Sequence, residues 1–246
     1  MEFPLKQFAS SEDVAEAAAR HFVESIPDRA PFHVALSGGR IAKLFYEAIV
    51  AQVQSEHRHV DHIHFFFADE RCVAPTDTES NFLTARQGLF DPLHIRSEQV
   101  HRIHGESDDT YAAREAEAEL CRIAPLDTDG QPVLDLVILG MGEDGHTASL
   151  FPGEAESLVN DSAVYRGVTA SKPPPRRITL GYAPLRAARQ LVVLASGQGK
   201  EASLRQIVAE ISQDMPVLPL ARVLHSNRKF LIFSDIPGSA SFAKNL

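Results

Sequence analysis

Two spacings of apolar residues alternate along the chain and divide it into elements. Phe32 to Leu36, His62 to Ala68, Leu134 to Leu139 and Gln190 to Ala195 are short runs dense in apolar residues. Such runs predict strands, and the run before Gly140 one buried on both faces, as in a parallel sheet. Between them the spacing changes to three and four. Ile41, Leu44, Phe45, Ala48 and Ile49 predict a helix to about Val53. Ser10 or Ser11 can cap an earlier helix running to about Ile26, stopped by Pro27. Further helices are expected over Asn81–Phe90, Asp108–Ile123 and Glu201–Ile211, and one from His146. Val164–Thr169, Arg177–Tyr182 and Lys229–Phe233 complete the strands, with a proline knot at Lys172-Pro173-Pro174-Pro175.

Strands alternating with helices imply right-handed βαβ units. The expected fold is therefore α/β: a single domain over residues 1–246, with an open, mostly parallel doubly wound sheet flanked by helices and a smaller β-containing second half. Ligands of such sheets bind beyond the carboxyl ends of the strands. Four predicted strands end in suggestive sequence: Ser37-Gly38-Gly39, Asp69-Glu70-Arg71, Gly140 to His146, and Gly197 to Lys200. All four should open onto one edge of the sheet.

Charge narrows the partners. A net charge of -9 over 246 residues argues against non-specific nucleic-acid binding and against docking on an anionic membrane. It leaves a phosphorylated substrate open, because a few local Arg and Lys decide that. Cys72 and Cys121 form no CxxC pair and suit a reducing compartment. Met1 to Lys6 lacks the basic flank and apolar core of a signal peptide, and no stretch reaches transmembrane length. The expectation is a cytoplasmic protein.

The densest chemistry lies in Gly140-Met141-Gly142-Glu143-Asp144-Gly145-His146. The glycines let the backbone turn sharply and approach a ligand. Gly140, Gly142 and Gly145 spell GxGxxG, but Phe151-Pro152-Gly153-Glu154 is no route to the second strand of a dinucleotide fold. His146 reads as a proton-exchanging group or as a helix-capping core histidine. Asp144 either orients that imidazole or caps the helix expected after the turn. Ser37-Gly38-Gly39 is a tight turn or a nest of backbone N–H groups for phosphate or sugar hydroxyls. It is a poor nucleophile elbow, since Ala35 stands where GxSxG needs its first glycine. Arg71, Arg176, Arg177 and Lys200 are cations near these strand ends. His57, His59, His62 and His64 lack HExxH spacing and cysteine partners, so no metal site is expected; they read as a solvated loop and a strand's polar face.

Together these residues resemble the 6-phosphogluconolactonase family, which shares its fold with glucosamine-6-phosphate deaminase and ribose-5-phosphate isomerase. The resemblance runs through Phe66 to Val73, Ser80-Asn81-Phe82, Gly140 to Gly153, Pro174 to Leu180 and Gly197 to Lys200. After Ser-Gly-Gly the family commonly has a small hydroxyl residue and proline; here the chain has Arg40-Ile41-Ala42. The resemblance implies hydrolysis of 6-phospho-D-glucono-1,5-lactone to 6-phosphogluconate in the oxidative pentose phosphate route, without cofactor or metal. The expected catalytic residues are His146, as general base on water, and Asp144. The expected substrate contacts are Ser37, Gly38, Gly39, Asp69, Arg71, Gly142, Arg177 and Lys200, with the glycine-turn N–H groups stabilising the oxyanion. A deaminase or isomerase would use the same turn and histidine. A non-catalytic sugar-phosphate sensor would want a DNA-binding domain, and nothing before Phe32 is long or basic enough. Monomer and dimer both remain open.

Overall fold

A computed structural model describes residues 3–227 and 229–242; Met1 and Glu2 of the N-terminal stretch read above lie outside the described residues. In chain order the elements are β1 (Leu5–Gln7), α1 (Ser11–Ser25), β2 (Phe32–Leu36), α2 (Arg40–Ser55), β3 (Ile63–Phe67), β4 (Asp69–Arg71), α3 (Asn81–Ala85) and α4 (Asp109–Ile123). There follow β5 (Leu136–Gly140), α5 (Glu156–Val159), β6 (Tyr165–Thr169), β7 (Arg176–Leu180), α6 (Tyr182–Ala187), β8 (Leu191–Ala195), α7 (Glu201–Glu210), α8 (Pro219–Ser226) and β9 (Phe230–Ser234).

Six strands form one sheet in the spatial order β1-β9-β8-β5-β2-β3, and every neighbouring pair is parallel. The apolar runs explain this. Every residue of β2 and β8 is buried, because helices cover both faces of the sheet. Ser10 caps α1 through the backbone N–H of Asp13, and Val14, Ala18 and Phe22 face inward, with the Phe22 ring edge-on to Phe45 of α2 at 6.2 Å.

After β2 the chain moves outward to β3; after β5 it moves the opposite way, to β8 and β9. The strand order therefore reverses between β2 and β5, which opens a crevice at their carboxyl ends. A second, antiparallel sheet, β4-β7-β6, sits beside that crevice. Ala68 links the two sheets, donating its N–H to Leu36 (2.8 Å) and accepting from Leu180 (2.8 Å). The smaller sheet thus takes one strand, β4, from the first half of the chain. β6 and β7 are joined by the proline segment with no helix between them, so they pair antiparallel.

The helix expected from His146 is not formed. Gly145 (φ +79°) and Ala148 (φ +47°) both adopt left-handed backbone, and a bridge pairs Thr147 with Leu150. Thr147 Oγ1 donates to the Gly140 carbonyl at 2.9 Å, closing the segment as a compact loop. The region read as one helix over Asn81–Phe90 is α3 followed by a π-helical turn at Arg86–Phe90. The strand face carrying His64 is not solvated either: His64 stacks between His33 and His101, and its Nδ1 lies 3.0 Å from His101 Nε2.

Candidate active site

The crevice is a cavity of about 320 Å³. It brings together Ser37, Gly38, Gly39, Asp69, Arg71, His146, Arg177 and Lys200, eight of the ten residues singled out from the sequence. The other two, Gly142 and Asp144, stand immediately behind His146. A larger hollow of about 710 Å³ lies beside α4, but Arg86, Arg102 and Arg122 on its wall are each paired with a carboxylate. It offers no spare charge to an anionic ligand.

His146 is set by the turn that precedes it. Asp144 Oδ1 is hydrogen-bonded to His146 Nδ1 and also accepts the His146 backbone N–H at 3.2 Å. An ionised carboxylate can only accept, so Nδ1 carries the proton and the lone pair resides on Nε2. Burial alone would raise the Asp144 carboxyl; the hydrogen bond and charge of His146 outweigh it and hold it below the usual carboxylate range. The dyad lies directly over Gly142, where a Cβ would run into both His146 Nδ1 and Asp144 Oδ1. The Phe151 ring packs on the imidazole at 4.9 Å. The N–H groups of Gly142 and Gly145 are spent inside the turn, on the His146 carbonyl (2.9 Å) and the Gly142 carbonyl (3.1 Å). They are not free to form the oxyanion pocket expected of them.

Asp69 is held by residues distant in sequence. Its Oδ2 accepts from Ser149 Oγ at 2.7 Å, and its Oδ1 and backbone carbonyl accept from Asn81 Nδ2 at 3.1 and 2.9 Å. Glu70, 3% exposed, accepts from Ser80 Oγ and from the N–H groups of Arg71, Asn81 and Phe82. Burial pushes its carboxyl up against those hydrogen bonds. Glu70 therefore ties β4 to the start of α3 and places Asn81 at the cavity wall. Asn81, Ser149 and Glu70 were legible only as parts of longer motifs, because what they touch lies up to 80 residues away.

Gly38 has to be glycine for a related reason: a Cβ there would overlap the Asn81 carboxamide. Asn81 is 2% exposed and already bonded to Asp69, so it cannot withdraw. Gly38→Ala is expected to cost about 1–3 kcal/mol of stability, read by urea unfolding; a change under about 0.5 kcal/mol, the range of an ordinary surface substitution, would show that Asn81 yields.

The cations divide. Arg177 is 7% exposed; its Nε and Nη2 donate to the carbonyls of Pro174 (3.0 Å), Lys172 (3.3 Å) and Pro173 (3.4 Å), and its guanidinium lies over Phe151 at 5.8 Å. Much of its hydrogen-bonding capacity is spent anchoring the proline loop. Burial, then the charge of Arg71, lowers its pKa. Arg71 donates to the Glu79 carbonyl and has a buried Nε without a partner among the described residues. Lys200 makes no ion pair among the described residues; burial, then the charge of Arg40, lowers its pKa. Asp235 also lines the cavity and braces the last glycine turn, accepting from Ser196 Oγ (2.7 Å) and the Gly197 N–H (3.0 Å). Ser37 Oγ is buried with no hydrogen-bond partner, so no Ser–His pair forms among the described residues.

Residues 6–232 match the model of the glucosamine-6-phosphate isomerases/6-phosphogluconolactonase family. A 6-phosphogluconolactonase of Aggregatibacter actinomycetemcomitans is 32% identical over 222 residues, 89% of this chain and 91% of that protein. The structure of the 6-phosphogluconolactonase from Trypanosoma brucei is similar over 100% of both chains, with a TM-score of 0.82 and 28% identity. A monomeric glucosamine-6-phosphate deaminase has the same fold at 19% identity, with a TM-score of 0.81 over 98% of this chain and 100% of the other. The match to the family model over nearly all of its length places this chain in the glucosamine-6-phosphate isomerase/6-phosphogluconolactonase family.

Proposed function

We propose that this protein hydrolyses 6-phospho-D-glucono-1,5-lactone to 6-phosphogluconate, with His146 as the base that activates water. The observation that carries the reading is the Asp144–His146 pair facing a cavity that also holds Lys200 and the Ser37-Gly38-Gly39 turn. The relatives named 6-phosphogluconolactonase supply the substrate.

A lactone is an activated ester, so the reaction needs a positioned water and a base rather than a covalent nucleophile. Nε2 of His146 takes a proton from water as the oxygen attacks C1. The tetrahedral intermediate collapses with cleavage of the bond between C1 and the ring oxygen. The proton on Nε2 passes to that oxygen, which becomes the C5 hydroxyl. Asp144 holds the Nδ1 proton throughout and stabilises the imidazolium that forms between the two transfers. Phosphate binding at a distance from C1 fixes the carbonyl over Nε2. A cytoplasmic location belongs to the same proposal and rests on the sequence, with Cys72 and Cys121 both free thiols.

Lactone generated in situ from glucose 6-phosphate by its dehydrogenase is expected to decay faster with this protein than without it. Decay at the spontaneous rate would refute the proposal, and release of ammonia from glucosamine 6-phosphate would then assign the deaminase reaction.

A further inference from the structure

Among the described α-helices, α2 and α7 alone start on a cation. The N-terminus of a helix is its positive end and favours acidic groups and side-chain caps. α1 obeys with Ser10, Glu12 and Asp13. α4 obeys with Asp108, whose carboxylate accepts from Thr110 and Tyr111, and with Asp109. α2, sixteen residues long, begins with Arg40, has no side-chain cap and has no acidic residue in its first turn. α7 begins behind Lys200, again with no side-chain cap; Glu201 in its first turn is paired with Arg205.

Both misplaced cations line the same cavity. Neither makes an ion pair among the described residues, whereas Arg71, Arg86, Arg102, Arg122, Arg166 and Arg222 all do. The Arg40 guanidinium reaches the last glycine turn: its Nη2 is 3.9 Å from where a Cβ on Gly197 would stand. Burial first and the Arg40 charge second depress the Lys200 ammonium, while Asp235 and Glu143 act the other way. The Asp235 carboxylate is engaged with Ser196 Oγ and the Gly197 N–H. Two like charges therefore converge on two open helix N-termini, an arrangement unfavourable in the free protein and relieved by a dianion between them.

We infer that Arg40 is a specificity-determining residue that, with Lys200, grips the phosphate monoester of the substrate at the starts of α2 and α7. The inference rests on the lactone-hydrolysis reading above and assigns the charge selectivity of that site. Arg40 presents a planar fork to the phosphate oxygens, while Lys200 supplies a compact charge. Because Arg40 opposes the dipole of its own helix, its contribution to binding comes with a loss of stability in the free protein.

The test compares wild type with Arg40→Gln and Arg40→Lys. Without ligand, Arg40→Gln is expected to melt about 1–3 °C higher, since a cation leaves a helix N-terminus. With inorganic phosphate as the probe, it should lose most of the phosphate-induced rise in melting temperature that wild type shows. Its kcat/KM for the phosphorylated lactone, taken relative to unphosphorylated glucono-1,5-lactone, should fall about tenfold, mainly through KM, with part recovered in Arg40→Lys. An unchanged phosphate response together with an unchanged ratio overturns the inference. So does an equal loss on both lactones, which would make Arg40 a structural residue. If the wild-type protein hydrolyses neither lactone, the functional reading falls, and the phosphate melts still decide whether Arg40 holds the anion.

Discussion

His146→Ala is expected to cut turnover of the phosphorylated lactone by about 10²–10⁴-fold while leaving KM within a factor of a few. The asymmetry follows from the geometry. Nδ1 is committed to Asp144, so the variant removes the one basic nitrogen that the turn presents to the cavity. The charges available for phosphate, on Lys200 and Arg40, sit at other strand and helix ends and are untouched. The fold should survive, because the His146 side chain is 20% exposed and packs on Phe151 rather than within the sheet. Residual activity is expected, since a bound lactone still reacts with unassisted water. Following lactone decay over a range of concentrations separates the two parameters, and a melting curve guards against misfolding. Turnover within about threefold of wild type, well short of what general-base catalysis supplies, would remove His146 from the chemistry. A raised KM at normal turnover would make it a binding residue instead.

The chain declares its sheet more clearly than its site. β2, β3, β5 and β8 were legible because each is a buried run bounded by glycine or charged turns, and parallel strands leave little room for any other pattern. Knowing where those strands end was enough to name the cavity's backbone turns and most of its cations. What failed was any inference needing a backbone sign or a distant partner. A helix after His146 was the natural continuation of a strand and glycine turn, but the left-handed Gly145 and Ala148 turn the chain back on itself. Ala148 in particular carries no sequence sign of a left-handed residue. Asn81 and Ser149 act through Asp69 across 12 and 80 residues, a separation to which local periodicity is blind. β1, at the sheet's edge, has three residues and no buried face to give it a pattern. No helix was expected between Ile211 and Lys229, where α8 forms with Pro219 as its first residue. Arg40 was visible as a departure from the family's usual residues, yet only its position on α2 beside Lys200 gives that departure a meaning.

The second large effect belongs to Asp144. Asp144→Asn is expected to lower kcat by about 10²–10⁴-fold, as in other histidine pairs that lose their carboxylate, with KM again little changed. Two physical effects combine. The carboxylate can only accept a hydrogen bond, which forces the Nδ1–H tautomer and leaves Nε2 basic; a carboxamide can also donate, which admits the opposite tautomer with no base toward the cavity. The carboxylate's charge also stabilises the imidazolium formed between the two proton transfers, and asparagine supplies none. The fold should tolerate the change, because asparagine is isosteric and can still accept the His146 backbone N–H that Asp144 now takes at 3.2 Å. A pH series supplies the complementary sign. The Asp144 carboxyl lies below the usual carboxylate range in the folded protein, so it binds fewer protons there than in the unfolded chain. Its contribution to stability is therefore full above the unfolded value of about 3.9 and is lost as pH falls through the lower folded value. Asp144→Asn should lack that acid-range slope while losing its activity at neutral pH. Turnover near wild type in the asparagine variant would mean that His146 needs no partner to act as a base, and the dyad would reduce to a single histidine held by the glycine turn.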